Sequence, residues 1–122
     1  MNKIVNVLVL EDSESDFAFL LLYLDKIAKI GDLQIETTRT TTVAQAIEVL
    51  ETKPFDIIFS DMGLPDSSGM HTVFRLVSHS KLTPVVIISG LSLQQDDQQA
   101  LTDLNILDFL DKNSVFTSNQ GF

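Results

Sequence analysis

At 122 residues the chain has room for one domain, and its 44% hydrophobic and 20% charged content excludes a disordered tract. The absence of cysteine excludes a disulfide framework and thiolate chemistry. A formal charge of -9 disfavours nucleic-acid backbones and anionic lipid, and the longest apolar run, Phe17 to Leu24, has only eight residues, too few to cross a bilayer.

Ile4 to Leu10 is a nearly unbroken apolar run rich in Val and Ile, which predicts a first strand buried on both faces. The period then becomes helical, with Phe17, Leu20, Leu21, Leu24 and Ile27 on one side, predicting a helix from about Ser13 to Ile30 that stops at Gly31. Leu33 to about Arg39 alternates apolar and polar residues, as a strand near a sheet edge does. A second helix is predicted over Val43 to Thr52, ahead of Pro54. Phe55 to Ser60 reads as a third strand with Asp61 directly behind it, and the loop through Gly63 and Pro65 leads into a third helix near Gly69. Pro84 to Ile88 reads as a fourth strand, Gln94 to Leu104 as a polar helix, and Ile106 to Leu110 as a short fifth strand. Strands alternating with helices in this way predict a doubly wound parallel sheet with right-handed crossovers.

In such sheets a ligand sits beyond the carboxyl ends of the strands. The strands here end in Glu11 and Asp12, in Asp61, in Ser89, and in Asp111 and Lys112. Each alone has an ordinary reading: Asp12 as an acid at a helix start, Asp61 as a turn opener, Lys112 as a solvated lysine. Together at one sheet edge they mean more. Clustered carboxylates repel unless a cation offsets them, and oxygen ligands of this kind suit Mg2+ (or Mn2+), with Glu11, Asp12, Asp61 and the Gly63 backbone carbonyl as candidate ligands. A carboxylate is also a competent nucleophile toward phosphorus. Lys112 would supply positive charge and Ser89 a hydroxyl to an attached phosphoryl group.

These four segments resemble the receiver domain of two-component response regulators. Val-Leu-Val-Leu-Glu11-Asp12 is similar to that family's first strand and acidic pair, and Asp61-Met-Gly-Leu-Pro65 to its phosphoacceptor loop. Val85-Val-Ile-Ile-Ser89-Gly90 and Asp108-Phe109-Leu110-Asp111-Lys112 are similar to its hydroxyl and lysine strands. The resemblance implies a flavodoxin-like five-stranded sheet of order 2-1-3-4-5. It also implies Asp61 as phosphoacceptor, Ser89 and Phe109 as switch residues, and a histidine kinase or phosphotransfer protein as phosphate source. An output domain or effector would lie outside the sequence, the setting would be cytoplasmic, and the phosphotransfer would be self-catalysed by a regulatory domain, not an enzyme acting on a metabolite. Asn113 stands where the family usually has proline. Only ten residues follow Lys112, so the receiver is expected over residues 1–113 with a short tail over 114–122 and the fifth helix absent or truncated. Part of the sheet face beside the first helix is then expected to lie uncovered, which would favour a homodimer or another partner.

Other readings compete. A haloacid-dehalogenase-like phosphatase would also use a strand-end Asp, a hydroxyl and a Lys, but it requires a second Asp where Gly63 stands. A flavin carrier of the same fold would need an anion-accepting loop where Glu11 to Asp16 is acidic. A receiver-like docking module that takes no phosphate would not need the whole set of site residues.

Overall fold

The computed structural model describes residues 3–80, 82–90, 95–104 and 106–115. Strand β1 (Lys3–Leu10) starts exposed and ends buried, with Val7 to Leu10 all at 1% exposure or less. It pairs in parallel with β2 (Leu33–Thr40) on one side and β3 (Ile57–Asp61) on the other. Two-residue strands β4 (Gly63–Leu64) and β5 (Ser67–Ser68) then form a small antiparallel hairpin. Strand β6 (Val85–Ser89) pairs with β3, and β7 (Asp108–Asp111) with β6, giving the parallel sheet order β2-β1-β3-β6-β7. The order matches the expected 2-1-3-4-5, β6 and β7 being the fourth and fifth strands foreseen.

The helices are α1 (Glu14–Gly31), α2 (Val43–Thr52), α3 (Met70–Ser80) and α4 (Gln95–Asp103). The sheet is apolar on both faces because alternate residues of each central strand point to opposite layers. Leu8, Leu10, Ile58, Val85 and Ile87 pack against Val43 and Ala46 of α2, Val73 and Leu76 of α3, and Leu101 of α4. Val7, Val9, Phe59, Val86 and Ile88 pack against Leu20 and Leu24 of α1.

Several boundaries differ from the sequence expectations. α1 runs on through Gly31, and the left-handed residue that closes it is Asp32, at φ 52°. Its N–H reaches back to the carbonyls of Ala28 and Lys29, and aspartate tolerates this conformation better than most residues. The third strand begins at Ile57, two residues later than expected. The Asp56 side chain takes the Asn6 N–H while its own N–H bonds the Asn6 carbonyl, so the ladder is entered through a side-chain clasp. The fifth strand begins at Asp108, because the Ile106 N–H still bonds the Leu101 carbonyl at the end of α4. The start expected for the fourth helix at Gln94 lies outside the described residues.

Of the fifth helix, expected to be absent or truncated, residues 112–115 form a helical turn directly after β7. The remainder of the tail, 116–122, lies outside the described residues. Part of the face beside α1, on the first, third or fifth strand, was expected to lie uncovered; on β1 and β3 it is covered. Val7, Val9 and Phe59 are buried there, with Phe17, Phe19, Tyr23 and Val115 closing over them. β7 is less well covered, with Leu110 half-buried.

Candidate functional site

The register of the sheet places the chemistry. Leu10 pairs with Ser60, Asp61 with Ile88, and Ser89 with Asp111, so the strands end nearly level and the residues just beyond them share one rim. Glu11 prolongs β1 by one bond, its N–H donating to the Thr40 carbonyl at 3.0 Å. Its side chain turns inward and is almost completely buried. There Oε2 accepts from the Ser13 N–H at 3.2 Å and Oε1 faces Lys112 Nζ at 2.7 Å.

Asp61 ends β3. Its Oδ1 accepts from the Gly63 N–H at 3.2 Å and its Oδ2 from Lys112 Nζ at 2.8 Å. A third carboxylate, Asp16 in the first turn of α1, takes Lys112 Nζ at 2.7 Å. The Lys112 ammonium therefore has one carboxylate for each of its three N–H bonds. Burial works against its charged form, but the hydrogen bonds it donates to Asp16, Asp61 and Glu11 together outweigh this and hold the pKa above the ordinary lysine value. The Glu11 pKa also moves up, which for a carboxyl favours the neutral form. Burial raises its pKa above the usual glutamate value and the Asp61 charge adds to this, against the lowering effect of Lys112 and the Ser13 N–H.

One oxygen from each of Glu11, Asp12 and Asp61 lies within 4.8 Å of the others. A hard divalent cation fits such a donor set: the ligands are all oxygen, and they form an incomplete cage that leaves room for water. Beside this group opens a cleft of about 490 Å³ lined by Asp16, Asp61, Ser89, Asp97 and Lys112 among others. The buried Ser89 thus shares the cleft with Asp61, as expected. Gly63 engages Asp61 through its N–H.

Phe109 does not join them. It lies half-buried on the face of the sheet covered by α2, α3 and α4, lining a separate cavity of about 370 Å³ with Leu101 and Ile106.

Two contributors escaped the sequence reading. Asp16 was legible only as the end of the acidic stretch that begins at Glu11. Ser13 does cap α1, its Oγ accepting from the Asp16 N–H at 3.3 Å, but its own N–H is held by Glu11, so the reciprocal half of a capping box is missing and the Asp16 carboxylate is left for the lysine. Arg39, near the end of β2, donates through Nε to the Glu11 carbonyl at 3.0 Å and through Nη2 to the Asp12 carbonyl at 3.3 Å, while its guanidinium lies 4.8 Å from the centroid of the Phe17 ring. It clamps the acidic loop to α1 from outside. Only the pairing of β1 with β2 could have revealed the Arg39 contact.

A parallel α/β sheet here brings acid, hydroxyl and lysine together at its carboxyl edge. The model of the response regulator receiver domain matches residues 7–118, and the chain belongs to that family. It is 34% identical over 83 residues to the response regulator protein PilR of Pseudomonas aeruginosa, a match covering 68% of this chain and 18% of PilR. The receiver domain of a CheY-like response regulator from Methylobacillus flagellatus superposes with a TM-score of 0.69 at 20% identity, covering 90% of this chain and 87% of that one. The receiver domain of a sensor histidine kinase from Pseudomonas aeruginosa PAO1, solved with magnesium coordinated in its active site cleft, superposes with a TM-score of 0.68 at 16% identity, over 99% and 97% of the two chains. The chain spans less than half the length of the curated relatives it matches, from 10% to 44% of them. No helix among the described residues is long and apolar enough to cross a membrane.

Proposed function

We propose that this receiver works as a phosphorylation-operated switch, with Asp61 accepting the phosphoryl group. The observation that carries the reading is the Lys112 ammonium at 2.8 Å from Asp61 Oδ2, beside an acidic group fit for a divalent cation. An Asp61 oxygen attacks phosphorus on a phosphohistidine of a kinase or phosphotransfer protein. The new O–P bond forms as the P–N bond breaks, and the imidazole leaves as the neutral ring once protonated. Lys112 offsets charge on the transferring oxygens, and Ser89 offers its hydroxyl to the attached group.

Magnesium, or manganese, is the cofactor that Glu11, Asp12, Asp61 and the Gly63 carbonyl would hold. When bound it supplies positive charge to the transferring phosphoryl oxygens. Residues 1–113 form the switch and 114–122 a short tail, the start of a last helix or a linker, in a cytoplasmic setting with an output domain or effector as downstream partner. Phe109 is retained as a switch residue on the family's pattern alone.

The test is intact mass after incubation with magnesium and a small acyl-phosphate donor. The parent gains one phosphoryl group and Asp61→Asn gains none. Equal labelling of both would remove Asp61 from its role.

A further inference from the structure

We propose that Asp16 is a positioning residue: it keeps the Lys112 ammonium aimed at Asp61 once a divalent cation has entered the acidic group, an inference that rests on the function proposed above. In the structure the lysine is shared by Glu11 and Asp16 at 2.7 Å and Asp61 at 2.8 Å. Glu11 and Asp61 also belong to the three-carboxylate group that a cation would bridge, whereas Asp16 does not. A cation there takes up the negative charge of those two carboxylates and repels the ammonium. Asp16 is then the acid still committed to Lys112.

Its position suits that task. Asp16 stands on the first turn of α1, with its N–H held by the Ser13 hydroxyl, so its carboxylate is carried by a helix and not by a loop. Its side chain is 32% exposed and reaches into the cleft shared by Asp61 and Ser89, where Lys112 itself is only 11% exposed. With Asp16 in place the ammonium is pre-aimed at the attacking carboxylate. Without it, the long lysine side chain has no fixed partner besides the groups the cation has claimed, and its four rotatable bonds are free.

The competing explanation is that Asp16 is simply a negative charge at a helix N-terminus. The two differ in how Asp16 depends on Lys112. Asp16→Ala should be phosphorylated by a small acyl phosphate roughly tenfold more slowly at saturating magnesium, the size typical of losing a group that orients another, with magnesium affinity unchanged. In a Lys112→Ala background the same substitution should cause no further slowing. An undiminished rate in Asp16→Ala, an equal slowing in both backgrounds, or a matching loss of magnesium affinity would each overturn the proposal.

A second readout does not need phosphorylation at all. In magnesium-loaded protein the Lys112 ammonium should give a slowly exchanging nitrogen-15 signal in the parent and lose it in Asp16→Ala. A signal missing from the parent or kept in the variant overturns the proposal. If the parent takes no phosphate, the proposed function fails while this signal still decides the role of Asp16.

Discussion

Replacing Lys112 with Met leaves Glu11, Asp16 and Asp61 without their shared cation. Glu11 is the most affected, with a side chain only 5% exposed, while Asp61 is 15% and Asp16 32% exposed. Removing one partner of a buried ion pair costs about 3–5 kcal/mol, and water at Asp16 and Asp61 screens part of this, so the expected loss at neutral pH is about 3 kcal/mol. Two further conditions make the prediction specific. Glu11 already has a raised pKa, from burial first and then from Asp61, and losing Lys112 raises it further. A carboxyl whose folded pKa lies above its unfolded value near 4.5 favours the folded state most below that value, and the benefit fades as pH rises through the folded pKa. The deficit of Lys112→Met should therefore be smallest in mild acid and grow toward neutrality. Saturating magnesium should also narrow it, because a cation at Glu11, Asp12 and Asp61 replaces the missing charge and binds the folded chain alone. Urea denaturation of parent and variant across pH, with and without magnesium, measures both effects. A deficit that stays constant across pH and is untouched by magnesium would refute the electrostatic account of this site.

Asp12→Ala removes one oxygen from the three-carboxylate group, so magnesium affinity should fall at least roughly tenfold and phosphorylation should slow with it; calorimetric titration alongside labelling kinetics checks this, and an unchanged affinity would exclude Asp12 as a ligand. Asp66 binds the first N–H groups of α2, Val43 at 2.9 Å and Ala44 at 3.0 Å, and pairs with Arg75 of α3 at 3.7 Å. Asp66→Ala should cost about 1 kcal/mol, as losing a helix cap does. Although its slight burial acts in the opposite direction, those N–H groups and Arg75 hold the Asp66 pKa below the usual 3.8. Its contribution is present above that value and is lost as pH falls through the lower folded pKa, so the gap between parent and variant should close in strong acid, as thermal melts will report.

The four candidate segments were legible because each lies immediately after an apolar strand, and strand length is easily read from runs such as Val7 to Leu10 and Val85 to Ile88. Knowing where strands end locates the site in a parallel sheet, and Glu11, Asp12, Asp61, Ser89 and Lys112 were found that way. Long-range side-chain contacts left no such trace. Lys112 and Asp16 are 96 positions apart, and Arg39 lies 28 from Glu11, so neither partnership has a local period or spacing. The hairpin Gly63–Leu64 with Ser67–Ser68 was missed because its strands are too short to alternate. The end of α1 was placed one residue early because glycine usually takes the left-handed closing position that Asp32 fills here. The helical turn over 112–115 starts on the lysine that was read as the end of a strand, and so its signal was absorbed by the motif.

The central claim is that phosphate joins this chain at one carboxylate, Asp61. Reducing the phosphorylated protein with borohydride converts an aspartyl phosphate to homoserine, and sequencing the peptides by mass spectrometry locates it. Homoserine at position 61, formed only when magnesium and the phosphate donor are both present, is the predicted result. Homoserine at Asp12, Asp16 or Asp111 instead, or none in a fully labelled sample, would contradict it.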